Sequence, residues 1–210
     1  MNELRNKEYV TSEYSPDSTR FMQHLIEYNN LDELGFEEWV FHPGMLFDST
    51  DRWWGDWGNR DKPHEGLDLC LYRDRGGENH SLDEEIKVPV IYGGKVVRVI
   101  DDYIGKSVFV GHDICDSKGN QLYTVYGHIE PYNEVSRGKT LIEGEMIATI
   151  TDTKGKKLEI SPHLHISIAW IRECLPYEKL NWKSMGDSEM VTLLNPLKVF
   201  SCKHTVLRHV

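Results

Sequence analysis

Residues 161–170 read SPHLHISIAW. From Leu164 onward the run is rich in β-branched and large apolar residues, with apolar side chains on both sides of the histidines, and it reads as a buried strand. Residues i and i+2 of a strand share a face, so His163 and His165 converge on one surface while Leu164 and Ile166 point away. Two imidazoles so placed are either a hydrogen-bonded core or edge pair or part of a functional site. The remaining sequence decides between these.

The same period of two recurs along most of the chain. GLDLCLY (66–72), KVPVIYG (87–93), KVVRVID (95–101), KSVFVGH (106–112), QLYTVYGH (121–128), EMIATIT (145–151) and LHISIAW (164–170) all read as strands. They are separated by Gly, Asp and Asn turns, with hairpin turns expected at Gly93-Gly94 and at Lys118-Gly119-Asn120. The predicted fold class is mostly β: an antiparallel β-sandwich or open barrel with an N-terminal helical segment and an irregular C-terminal region. The expected organisation is an N-terminal helical extension over 1–41 packed on the core, a main domain over 42–200 and a C-terminal tail over 201–210.

Residues 16–40 carry the helical signal. Ser15-Pro16-Asp17 offers a helix start, because Pro fits the first turn and Asp favours the N-terminal dipole. Phe21, Leu25 and Tyr28 follow at helical spacing, and a second short helix is expected over 31–39. The stretch HPGMLFDSTDRWWGDWGNRDKP (42–63) is a long aromatic, Gly- and Asp-rich loop. Its Trp53, Trp54 and Trp57 read as packing against the sheet, with a groove wall or lid as the alternative.

With 210 residues, 39% of them hydrophobic and 28% charged, the chain has enough apolar material for one packed domain. A net charge of −10 argues against a general nucleic-acid binder and against charge-driven attachment to anionic membranes or wall polymers. No stretch approaches the ~20 apolar residues of a membrane span. The N-terminus has no apolar leader region, so the expectation is a cytoplasmic protein unless an export segment has been removed. Cys70, Cys115, Cys174 and Cys202 are scattered without a C-x-x-C pair and read as free thiols.

Three motifs hold the chemistry. In PHEGLDL (63–69), His64 and Asp68 stand four apart, with Gly66 between them to permit a backbone turn. Asp68 lies between Leu67 and Leu69, and a buried carboxylate needs a partner: a metal ion, or backbone amides at a strand start. In VYGHIEP (125–131), His128 closes a strand before the turn marked by Pro131. The third motif is the histidine pair. Two imidazoles and one carboxylate are a common catalytic zinc ligand set, with further histidines left for proton transfer. Glu65, Glu159 and Tyr126 are near enough in sequence to orient such ligands. Histidines 24, 42, 80, 112, 204 and 209 match no motif and read as structural or surface residues.

In this order, PHEGLDL, YGHIEP and SPHLHISI resemble the lysostaphin/LytM-type zinc metallopeptidases of the duplicated-hybrid-motif fold. IYGGKVVRVI, LIEGEMIATI and NPLKVF resemble further segments of that family, so the likeness covers about residues 42–200. The resemblance implies His64, Asp68 and His165 as ligands of one zinc ion per chain, with His128 and His163 as catalytic histidines near the metal. It implies a zinc-dependent endopeptidase acting on peptide, with peptidoglycan stem peptides or cross-bridges as the expected substrate. The chain departs from the family at Ile160-Ser161-Pro162, where Thr-Gly-Pro is usual, in the long charged loop TDTKGKKLEI, and at Ile166, where Phe is frequent. These changes leave the metal residues intact, and it is the substrate groove for which the resemblance is weakest. The competing readings are a non-catalytic binding or regulatory domain and a cytoplasmic metallohydrolase with another peptide substrate.

Overall fold

A computed structural model describes residues 16, 18–154 and 159–207. The chain runs through helix α1 (Phe21–Tyr28) and strand β1 (Phe36–Phe41), and a long loop follows. Next come β2 (Leu67–Leu69), β3 (Leu71–Asp74), β4 (Asn79–Ser81), β5 (Lys87–Pro89) and β6 (Gly94–Asp101). Strands β7 (Lys106–Cys115), β8 (Gln121–Pro131), β9 (Thr140–Leu141), β10 (Met146–Ile150) and β11 (Leu164–Ile171) complete the centre. Helix α2 (Trp182–Met185), β12 (Val191–Leu194) and β13 (His204–Val206) follow.

The architecture is mostly β, in two sheets that do not close. The larger sheet runs β12-β11-β8-β7-β6-β9, with β2 added to β11, and with β10 bridging β8 and β5. The smaller sheet runs β13-β1-β3-β4. Every pairing is antiparallel except β1 with β13. The N-terminal and C-terminal segments thus meet in one sheet.

Strand β11 explains why its sequence is apolar throughout: all eight of its residues are buried. Leu164, Ile166, Ile168 and Trp170 enter the main core with Leu67, Tyr126 and Phe41. On the other face, Ala169 and Ile171 pack with Phe109, Val125, Leu180 and Met185, under the segment that contains α2. His165 and Ser167 share that second face.

Several expectations are corrected here. The helical signal over 16–40 yields only α1, anchored by Phe21, Met22 and Leu25, with Phe21 stacked on Phe200 at 5.0 Å. Pro16 is not helical, and Ser15 and Asp17 lie outside the described residues. The second helix over 31–39 is absent: Gly35 turns the chain at φ +86 and FEEWVF becomes β1. Trp39, Val40 and Phe41 are fully buried there, and pairing with β3 and β13 outweighs helical propensity. Gly93-Gly94 makes no hairpin, because β5 pairs with β10 and β6 with β7 and β9. The Gly119 turn does join β7 to β8, with φ +80. Among the described residues no helix is long and apolar enough to cross a membrane.

Candidate metal centre

Strand register assembles the first part of the site. In the antiparallel β2–β11 ladder Asp68 lies opposite His165, and in the β8–β11 ladder Gly127 lies opposite His165. Directly opposed residues share a face, so the carboxylate meets the imidazole on the β11 face that carries Ser167. Gly66 is needed because of a close approach: a Cβ there would lie 2.1 Å from the Ile166 carbonyl oxygen and 2.7 Å from His165 Nε2. It is not a left-handed turn residue, contrary to expectation.

His64, Asp68 and His165 bring one ligand atom each to a common point, all three side chains being buried. His165 Nδ1 is 2.8 Å from Asp68 Oδ1, and His64 Nε2 is 3.1 Å from both Asp68 Oδ1 and His165 Nδ1. The other ring nitrogens are occupied: His64 Nδ1 lies 3.0 Å from the Leu46 carbonyl oxygen, and His165 Nε2 lies 2.9 Å from Ser167 Oγ. A carbonyl only accepts, so the His64 proton sits on Nδ1 and Nε2 of the neutral ring is a bare lone pair. His64 Nε2 therefore faces the Asp68 carboxylate lone pair to lone pair. A cation between them relieves that repulsion, and a His₂–carboxylate set with an open side suits a catalytic divalent metal.

Surrounding groups hold the carboxylate. Trp53 Nε1 donates to Asp68 Oδ2 at 2.7 Å, and Arg60 Nη2 lies 3.4 Å from the same oxygen. Burial alone would raise the Asp68 pKa; positive charge placed among the surrounding imidazoles, with the His165 hydrogen bond, lowers it. Burial pushes His165 down to about 4 and His163 down to about 3, against the pull of Asp68. Both rings are thus neutral at pH 7, the form in which imidazole offers a lone pair.

His163 and His128 stand beside this trio. His163 Nδ1 lies 2.9 Å from the Ser161 carbonyl oxygen, which places its proton there and leaves Nε2 bare, 4.0 Å from Asp68 Oδ1. Its ring meets that of His128 at 4.8 Å. His128 does not close its strand: β8 continues through Pro131. It sits in a bulge. Lys106 pairs with Ile129 and Val108 with Tyr126, so the two residues Gly127 and His128 stand opposite the single residue Ser107. The bulge carries φ +62 at His128, and it turns a side chain that strict alternation would send toward the core onto the His165 face.

The five residues singled out in the sequence line one cleft of about 350 Å³, together with Trp54, Tyr103 and Trp182. The tryptophan loop does more than pack. Trp54 forms part of the wall with the Arg60 guanidinium 4.4 Å over its ring, and Trp53 supports a candidate ligand. Trp57 is half exposed. The orienting residues expected from sequence proximity are not those found: the Tyr126 hydroxyl accepts from the Ile91 N–H in the core, and Glu159 is exposed, while Glu65 lines the cleft. Leu46, Trp53 and Ser167 fill the orienting positions instead. His112, as expected, is structural: it is fully buried between the Gly93 carbonyl and Thr124 Oγ1.

Residues 74–176 match the family model of peptidase family M23. The chain belongs to peptidase family M23. The matched residues contain His128, His163 and His165, while His64 and Asp68 precede them, His64 in the loop before β2 and Asp68 opposite His165 in the β2–β11 ladder. No curated protein matches this M23 chain. Among solved structures it is similar to CbpA from L. salivarius REN, with 18% identity over 77% of this chain and 87% of that chain, at a TM-score of 0.44. It is also similar to lysostaphin, with 18% identity over 72% of this chain and 56% of that one, TM-score 0.39. A zinc-containing peptidase from Vibrio cholerae shows 20% identity over 63% of this chain and 37% of that one, TM-score 0.40. This M23 chain thus spans only about half of lysostaphin and about a third of the Vibrio chain.

Proposed function

We propose that this M23 chain is a zinc-dependent endopeptidase that hydrolyses peptide bonds in peptidoglycan stem peptides or cross-bridges. His64, Asp68 and His165 hold the zinc, and His128 and His163 are the catalytic histidines. The observation that carries this reading is the meeting of His64 Nε2, Asp68 Oδ1 and His165 Nδ1 within 3.1 Å, in a cleft that also holds two histidines outside the ligand set.

The ion supplies Lewis acidity toward the scissile carbonyl and makes water acidic enough to attack near neutral pH. The protein supplies the rest. His163, with its Nδ1 proton committed to Ser161, presents a bare Nε2 that accepts a proton from the attacking water. His128 takes up a proton at the ring nitrogen that faces the cleft and, as imidazolium, donates it to the leaving amine. Trp53 keeps Asp68 oriented as a ligand, and Trp54 and Trp182 wall the cleft and exclude water from its sides. The peptidoglycan assignment rests on the family likeness of the motifs.

The test is release of new amino groups from purified muropeptides by the zinc-loaded protein. Cleavage that a chelator abolishes and zinc restores is the expected result. Intact muropeptides alongside cleavage of an unrelated peptide would keep the peptidase and overturn the substrate. No cleavage of any peptide by a zinc-loaded chain would overturn the enzymatic reading.

A further inference from the structure

Asp102, in the β6–β7 turn, was not singled out by any motif. Its carboxylate is almost wholly buried and faces His128. Oδ1 accepts from the N–H groups of Ile104 at 2.8 Å and Gly105 at 2.7 Å, and lies 3.2 Å from His128 Nδ1. Oδ2 accepts from Ser107 Oγ at 2.7 Å and from the His128 backbone N–H at 2.9 Å. The Trp182 indole Nε1 in turn donates to Ser107 Oγ at 3.0 Å, and its ring meets His165 edge-on at 4.9 Å.

We infer that Asp102 is a positioning residue for His128, and that Ser107 and Trp182 hold Asp102 in place. This inference rests on the catalytic role proposed for His128. Two observations separate it from a plain turn carboxylate. First, the two N–H groups of the turn occupy only one of the two oxygens. The other oxygen binds the backbone of His128 at its left-handed φ, a conformation that ordinary residues resist. The His128 carbonyl is pinned from the far side by the Thr151 N–H at 2.9 Å, so the strained residue is clamped at both backbone polar groups. Second, the side-chain Nδ1 of His128 is buried and makes no hydrogen bond among the described residues, and Asp102 Oδ1 stands 3.2 Å from it, within reach as an acceptor. One group thus sets both the backbone bend that aims the ring and the ring nitrogen that keeps its proton. With Nδ1–H directed to Asp102, Nε2 is the nitrogen turned to the cleft. Trp182 carries the arrangement to the C-terminal segment, so that α2 fixes the ring of His128 and the edge of His165 together.

The test compares zinc-loaded wild type with Asp102→Asn and Ser107→Ala. Long-range 1H–15N spectra of the histidine rings give the His128 tautomer without reference to turnover. The wild type is expected to show the proton on Nδ1. Asp102→Asn is expected to lose that preference, to keep its zinc stoichiometry and KM within about twofold, and to lose kcat by about 10- to 100-fold. Ser107→Ala keeps the carboxylate and is expected to lose kcat by about 3- to 10-fold, which decides the matter should Asp102→Asn fail to fold. An unchanged His128 tautomer in Asp102→Asn, or wild-type kcat in Ser107→Ala where Asp102→Asn does not fold, overturns the inference. Inactivity of the zinc-loaded wild type would overturn the peptidase reading alone, because the tautomer comparison still tells whether Asp102 sets the ring.

Discussion

Asp68 and His165 face each other across the β2–β11 ladder, with Oδ1 and Nδ1 2.8 Å apart. A one-residue slip of β2 would turn Asp68 to the other face of the sheet and put Leu67 or Leu69 beside the histidine. The metal centre is therefore a property of strand register as much as of ligand identity, and its sensitivity to backbone changes follows from that.

Gly66→Ala tests the register. The new Cβ would meet the Ile166 carbonyl, which belongs to the neighbouring strand and cannot swing aside as a flexible side chain can. Overpacking of this kind costs about 1–3 kcal/mol, or a fall in Tm of roughly 2–4 °C per kcal/mol at this chain length. Calorimetry is expected to show that fall, with weaker zinc affinity. A wild-type Tm and wild-type affinity would contradict the close approach.

Trp53→Phe tests the tryptophan loop. The ring stays in the core, but the donor to Asp68 Oδ2 is removed. Zinc affinity, measured by competition with a chelator, is expected to weaken by about 10-fold. Affinity within about twofold of wild type would mean that the loop merely packs.

His128→Ala and His163→Ala separate catalytic from ligand roles. Each is expected to lower kcat by about 10²- to 10⁴-fold while one zinc per chain is retained. Loss of the metal in either variant would move that residue into the ligand set.

Asp102 gives a pH dependence. Burial opposes its ionisation, but the neighbouring His128 and the backbone N–H groups of Gly105 and His128 hold its pKa below the ordinary value of 3.8. A folded pKa below the unfolded one contributes stability that is present above the unfolded value and lost as pH falls through the folded one. Asp102→Asn lacks that contribution. The difference in urea midpoint between wild type and Asp102→Asn is expected to narrow as pH falls from about 6 to about 2. A constant difference over that range would show that the carboxylate charge adds nothing to stability.

Much of this was legible in the residues alone. Alternation along 95–101, 106–112, 121–128 and 164–170 marks the large sheet, the run 66–72 divides between the two sheets as β2 and the start of β3, and the motif histidines with Asp68 converge in one cleft. What escaped has physical causes. FEEWVF carries Glu37 and Glu38 at positions a helix tolerates, and only pairing with two distant strands makes it β1. The bulge at His128 leaves no sequence mark, because a two-for-one pairing depends on the partner strand. Asp102 lies in a turn, 26 residues before His128, where an Asp reads as turn chemistry. Trp182 comes from the segment with the least periodicity, so nothing in its neighbourhood announced a cleft residue.

The central claim is that His64, Asp68 and His165 hold one zinc ion. The most direct measurement is metal content by mass spectrometry of the wild type, Asp68→Ala and His165→Ala after equilibration with zinc at neutral pH. The account predicts close to one zinc per chain in the wild type and its loss in both variants, with the fold retained by circular dichroism. A wild type that takes up no zinc, or variants that keep it, would contradict the account.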